Sequence, residues 1–181
     1  MDVLAHTLWT NAGARGVNAI AQKQNKKFRL NVGWTAFWGV VPDFFAFTVP
    51  FIIALYNIIF GGLSWSQTRD HHELVGGFDL ASYLYQFSHS IVIFLLVFIL
   101  VWVISKRPRW EMTGWALHII IDIFSHSIAF YPTPFLFPIS EYRYPYGVSW
   151  AHPVFMMVNY SLLVLTWGGI ALKKYISKKV S

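Results

Sequence analysis

Apolar residues run along this chain in long blocks, and polar ones interrupt the blocks at few, spaced positions. The clearest block is Ile91 to Ile104, fourteen apolar residues without a break. Extended back through Tyr83–Ser90 it reaches the roughly 20 residues that a helix needs to cross a bilayer. Three further stretches qualify. The segment 32–60 is broken by Pro42 and Asp43. The segment 112–130 is interrupted by His118, Asp122 and His126. The segment 153–172 carries Asn159 and is otherwise clean. The pattern predicts an all-α, polytopic transmembrane helix bundle, with four spans over 32–60, 83–104, 112–130 and 153–172. A fifth helix over 2–22 holds His6, Asn11, Arg15 and Asn18, and either spans or lies in the interface. The run Tyr131–Pro138 cannot be a regular helix, because Pro132, Pro134 and Pro138 restrict it. It is expected to form a fixed flap over one end of the bundle. Gly61-Gly62 and Gly76-Gly77 read as turns. Phe-Ser-His-Ser occurs at 87–90 and again at 124–127, without any repeat period around it.

Composition supports the membrane reading. Charged residues are 12% of the 181-residue chain, about half the usual quarter of a soluble domain. Hydrophobic residues are 56% and mean hydropathy is +0.48. Disorder, collagen and a plain soluble enzyme are excluded. No cysteine is present, so disulfides, thiolate metal sites and cysteine nucleophiles are excluded too. Eleven of the 14 basic residues fall in three clusters: Lys23, Lys26, Lys27 and Arg29; Lys106, Arg107 and Arg109; and Lys173, Lys174, Lys178 and Lys179. These alternate correctly between the predicted spans to lie on one side. By the positive-inside rule that side is cytoplasmic. The expected location is a bacterial inner membrane, with the C-terminus cytoplasmic and the loops 61–82 and 131–152 outside. The net charge of +6 then faces anionic lipid rather than nucleic acid. The N-terminal stretch lacks the basic region and apolar core of a secretory signal.

Ionisable side chains inside a bilayer are costly, and persist where they face a bundle interior, pair with one another or hold an ion. Asp43, His89, His118, Asp122 and His126 all fall within predicted spans, and His6 joins them if 2–22 spans. His118, Asp122 and His126 stand at i, i+4 and i+8, along one helical face. Imidazole nitrogen with carboxylate oxygen is ligand chemistry for zinc and other borderline divalent metals. The topology sets His89, His126 and a spanning His6 in the outer half and Asp43 and Asp122 near the middle, so that five groups from four segments converge at similar depth, with His118 one turn deeper. Their convergence favours a spanning 2–22. A lone intramembrane histidine is commonly interhelical glue. Two aspartates unpaired by lysine or arginine at that depth instead require a cation or a proton. His71, His72, Glu73, Glu141 and His152 are available from outer loops. Ser90 and Ser127 are expected to bond backbone carbonyls.

The order of these groups resembles the bacterial family of membrane-bound metal-dependent hydrolases that includes an SOS-regulated inner-membrane protein. The matching segments are Ala5-His6-Thr7, Val41-Pro42-Asp43, Phe87-Ser88-His89-Ser90 and His118 to His126. Leu84-Tyr85 stands where that family commonly carries His-Arg. The family is in turn similar to zinc-dependent phospholipases C in its metal chemistry. The resemblance implies a divalent-metal-dependent hydrolase; a site that opens at headgroup level near the outer interface suits a phosphoester or lipid-derived substrate. His6, Asp43, His89, His118, Asp122 and His126 would then serve one or two metals, zinc foremost. Asp122 would bridge, and Glu141 or a loop histidine would be general acid or base. A metal or proton transporter remains the alternative. A b-type haem held by His89 with His118 or His126 is a further one, against which the two aspartates count.

Overall fold

The computed structural model describes residues 1–64, 67 and 78–180. Among the described residues there are seven α-helices and no strand. They are α1 (Val3–Lys23), α2 (Val32–Trp38), α3 (Val41–Ile59), α4 (Phe78–Ser88), α5 (Ile91–Ser105), α6 (Thr113–Ser125) and α7 (Pro153–Val180). A short 3₁₀ turn, Trp110–Met112, precedes α6. The all-helical architecture agrees with the sequence pattern, but the segments are cut differently.

The segment 32–60 is two helices. It breaks at Gly39 and Val40, and restarts with Pro42 in the first turn of α3, where a missing N–H costs nothing. The segment 83–104 is also two helices, bent by 62° around His89 and Ser90. Ser90 starts α5 by accepting from the Val92 and Ile93 N–H groups, a hydroxyl cap that outweighs the unbroken apolar run beyond it. The segment 112–130 is helical only to Ser125, with His126 extended. Val148 and Trp150 donate backbone hydrogen bonds to the Phe124 and Ser125 carbonyls at that end. The chain itself thus satisfies α6 where the helix stops.

Two helices, α3 and α7, are long and apolar enough to cross a membrane in one piece, and the bent pair α4–α5 makes a third if counted as one span. At 13 residues, α6 is about 20 Å long, short of the roughly 30 Å hydrocarbon core.

Large apolar side chains point outward: Phe44, Phe45, Phe51 and Ile52 on α3, Leu95, Leu96 and Ile99 on α5, and Val158, Leu162 and Leu165 on α7. The buried positions include Ala5, Ala14, Ala36, Ala46 and Ala81. Small residues between helices and large ones outside suit packing in lipid, where close backbone approach rather than apolar burial drives association. Two larger clusters fill the remaining core. Phe94, Met112, Trp115 and Ile119 pack with Trp38. Met1, Ala5 and Leu163 pack with Trp9, Ile121 and Phe155.

The three basic clusters gather at one end of this bundle. Phe28 packs edge-on against Trp110, Asn31 N–H donates to Glu111, and Lys23 and Lys173 line one surface depression.

Gly114 lets α6 lie against α2. A Cβ there would run into the Thr35 carbonyl oxygen and stand 3.0 Å from the Gly39 nitrogen. Both are backbone atoms that cannot swing aside. Gly114→Ala is expected to destabilise the protein by about 1–3 kcal/mol, the usual cost of overpacking. Thermal unfolding followed by tryptophan fluorescence in detergent checks this. An unchanged Tm would show that the α2–α6 contact can relax.

Candidate metal centre

The buried ionisable groups enter the bundle interior from several helices and from two of the breaks between them. His6 lies in the second turn of α1 and Asp43 in the first turn of α3. His89 sits in the bend between α4 and α5, and His118 and Asp122 lie on the inner face of α6. His126 follows the end of α6. His6, His89 and His118 are fully buried, and Asp122 nearly so.

Four of these residues form one group. One ligand atom from each of Asp43, His89, His118 and Asp122 lies within 4.8 Å of the others. His118 Nε2 is 3.0 Å from His89 Nε2, 3.2 Å from Asp122 Oδ2 and 3.7 Å from Asp43 Oδ1. His89 Nε2 is 3.4 Å from Asp122 Oδ2 and 3.5 Å from Asp43 Oδ1. This buried group can hold a metal ion.

The second contacts of the rings decide what that group offers. His118 Nδ1 is 2.8 Å from the Gly39 carbonyl oxygen. A carbonyl only accepts, so Nδ1 carries the hydrogen, and Nε2 is the nitrogen that a neutral ring would offer as a lone pair. That nitrogen faces two carboxylates and another imidazole nitrogen. Asp122 Oδ2 is buried and has no hydrogen-bond donor. With both rings unprotonated at Nε2, the centre is a convergence of acceptors that a cation would satisfy. An Nδ1–H that donates to a backbone carbonyl, opposite an Nε2 left for the ion, is also how metal-ligating histidines are oriented elsewhere. The Gly39 carbonyl is available for this role because α2 ends there.

The other oxygen of Asp122 has its own partners. Oδ1 accepts from the Met1 nitrogen, lies 2.9 Å from His6 Nε2 and 3.5 Å from His126 Nε2, and accepts from Ser125 Oγ at 3.2 Å. The Met1 nitrogen also lies 2.9 Å from His126 Nε2, while His126 Nδ1 donates to the Tyr131 carbonyl at 2.7 Å. His6 stacks on His118 with ring centroids 3.7 Å apart. The structure therefore brings all six sequence-predicted ligands to Asp122 or its neighbours. Four surround one point, and His6 and His126 hold the opposite side of the shared carboxylate.

Glu141 is exposed on the loop after Pro138, with its carbonyl accepting from Arg143, and the structure does not place it in the cluster. His152 is exposed as well. His71, His72, Glu73 and the Gly76-Gly77 turn lie outside the described residues. Ser90 Oγ donates to the Phe137 carbonyl, and Ile91 N–H donates to the Phe135 carbonyl at 2.9 Å. These bonds fix the proline-rich flap against the helix bend.

Sequence reasoning did not find Tyr85. Its ring stacks on His89 at 3.7 Å, and its hydroxyl donates to the Tyr131 carbonyl at 3.1 Å. The available signal was its position, four residues before His89 on one helical face. The Gly39 and Tyr131 carbonyls carry no side-chain signal at all.

Comparison with family models, with curated proteins and with solved structures finds no match to this chain.

Proposed function

We propose that the chain is a polytopic inner-membrane hydrolase that depends on a divalent metal, zinc foremost, held by Asp43, His89, His118 and Asp122. The observation that carries this reading is the four-residue group, in which His118, fixed through Gly39, turns Nε2 toward the Asp43 and Asp122 carboxylates. Two imidazoles with two carboxylates are the mixed nitrogen and oxygen set that zinc accepts. A metal bound there would supply Lewis acidity and lower the pKa of a coordinated water. The chain's own residues then do the rest. His6, His126 and the Met1 nitrogen hold Asp122 in orientation from its other oxygen. Tyr85 and the Tyr131 carbonyl steady His89 and His126. Glu141, exposed on the loop at this end, is the candidate proton donor to a leaving group at headgroup level.

In this reading 2–22 and 112–130 complete a bundle with the stronger spans, their short or polar helices shielded by neighbours. The end bearing the basic clusters is cytoplasmic, so the metal centre opens toward the outer face. Haem ligation finds no support in the packing, since His89 and His118 face each other nitrogen to nitrogen at 3.0 Å.

The test is metal content of the detergent-purified protein by mass spectrometry, prepared without chelators and scanned for visible absorption. About one zinc per chain is expected, as for a closed four-ligand set. Phosphoester and lipid-ester substrates are then offered in detergent, where hydrolysis yields product without a gradient. Ion flux in liposomes without product would support the transporter instead. Protein that neither retains nor rebinds metal would overturn the proposal.

A further inference from the structure

A second feature lies beside the metal centre. A cavity of about 580 Å³ runs between α1, α6 and α7, within the size range of small-molecule sites. Trp9, Leu117, Ile121 and Phe155 wall it, and the exposed Ile120 and Phe124 form its rim. Its lining also includes Met1 and Ser125, which both bond to Asp122. One end of the cavity thus abuts the metal centre through a single layer of side chains. Along α7 the lining extends from Phe155 to Thr166. At 1.5 Å per residue that is about 16 Å, roughly one leaflet of a bilayer's hydrocarbon. It occupies the half of α7 remote from Lys173 to Lys179.

One polar group in this wall is unspent. Asn159 is 7% exposed and lines the cavity. Trp9 Nε1 donates to its Oδ1 at 2.9 Å. An indole N–H can only donate, so the atom it meets is the amide oxygen, and the orientation of the amide is fixed. The Nδ2 group is therefore the one left over. It is buried and has no hydrogen-bond partner. If Asn159 were only interhelical glue, its bond to Trp9 would explain the oxygen and leave the buried donor as a pure cost.

We infer that this cavity binds one hydrocarbon chain of a membrane lipid, with Asn159 Nδ2 donating to an oxygen at the chain's head end, and so brings that lipid's ester or phosphoester up to the Met1–Ser125 side of Asp122, next to the metal centre. The substrate class is a lipid with one acyl or similar chain in this groove. The presentation step rests on the proposed metal-dependent hydrolysis, while chain binding does not.

The probe is a phosphatidylglycerol carrying a diazirine in one acyl chain, mixed in detergent with the purified full-length protein, irradiated and mapped by peptide mass spectrometry. Labelling of the segments around Trp9, Leu117–Phe124 and Phe155–Asn159 should saturate and be displaced by the unlabelled lipid. Labelling of the exposed Leu95, Leu96 and Ile99 face of α5 should not. Asn159→Asp, assayed at a pH where its carboxyl is ionised, keeps the acceptor for Trp9 and removes the donor. It should weaken saturable labelling about 10-fold, the equivalent of one buried hydrogen bond lost and an acceptor set against an acceptor. Ala12→Phe fills the cavity from α1 and should abolish the labelling. Metal content is measured on the same samples and should match the parent protein in both variants. Labelling of the cavity that is displaced no better than that of α5, or that is unchanged in Asn159→Asp, overturns the inference even if metal is present. Saturable labelling on a protein that binds no metal leaves the lipid site standing and overturns the hydrolase reading.

Discussion

Asp122→Ala is expected to leave the purified protein without metal. Asp122 binds into both halves of the centre, one oxygen to each. One oxygen faces His118 and His89, and the other holds His6, His126, Ser125 and the Met1 nitrogen. Removing the carboxylate takes away a ligand and also the anchor that four rings face. Losing an outer partner of a metal ligand costs about 10–100-fold in affinity, so losing this ligand should cost more than about 100-fold. Hydrolytic activity, where it is found, should fall with it. Circular dichroism in the same detergent separates metal loss from unfolding. Asp122→Asn is the companion variant, because its amide keeps the shape while giving up the charge. It should bind metal more weakly than the parent but remain folded. Full metal content in Asp122→Ala would remove Asp122 from the site.

How much of this centre could be read from the chain depends on what holds each part. Asp43, His89, His118 and Asp122 are legible because an ionisable group in an apolar run is rare and expensive. The run itself supplies the contrast. The helix breaks are less legible. Pro42 marks one of them directly. Ser90 marks another, but fourteen apolar residues follow it, and a continuous span is the simpler reading of that block. The end of α6 at Ser125 leaves no local mark, because the groups that satisfy its carbonyls come from Val148 and Trp150, more than twenty residues away.

The breaks are nevertheless what make the site. A continuous 32–60 helix would have spent the Gly39 carbonyl in its own ladder, and His118 Nδ1 would have lost its acceptor. A straight 83–104 helix would not place His89 in a bend beside Asp43 and Asp122. Backbone that leaves the helix at this depth is tolerated where protein buries it, and here it is used to aim imidazoles. Glu141, a carboxylate in an outer loop, is exposed and stands apart from the cluster, while the uncharged Tyr85, which carries no such signal, stacks on a ligand.

The two sides of Asp122 should respond differently to loss of a histidine. His118→Ala is expected to abolish metal binding, whereas His126→Ala should keep the metal with at most about a 10-fold loss of affinity, the lower end for a residue that orients a ligand. His118 Nε2 lies within 3.7 Å of each of the other three groups around the centre, and its ring is held by a backbone carbonyl that cannot rotate away. His126 Nε2 reaches only the opposite oxygen of Asp122, at 3.5 Å, and shares that side with the Met1 nitrogen and His6. Metal content and a zinc titration of the two variants in parallel give the comparison. If His126→Ala lost all metal while His118→Ala kept it, the ion would sit on the His6–His126 side of Asp122, and the four-residue centre would be wrong. If the parent bound two ions and His126→Ala kept one, Asp122 would be a bridge between them. His118→Ala would then still empty the Asp43–His89 side, because the remaining ligands there would be two carboxylates and one imidazole with no ring fixed through Gly39.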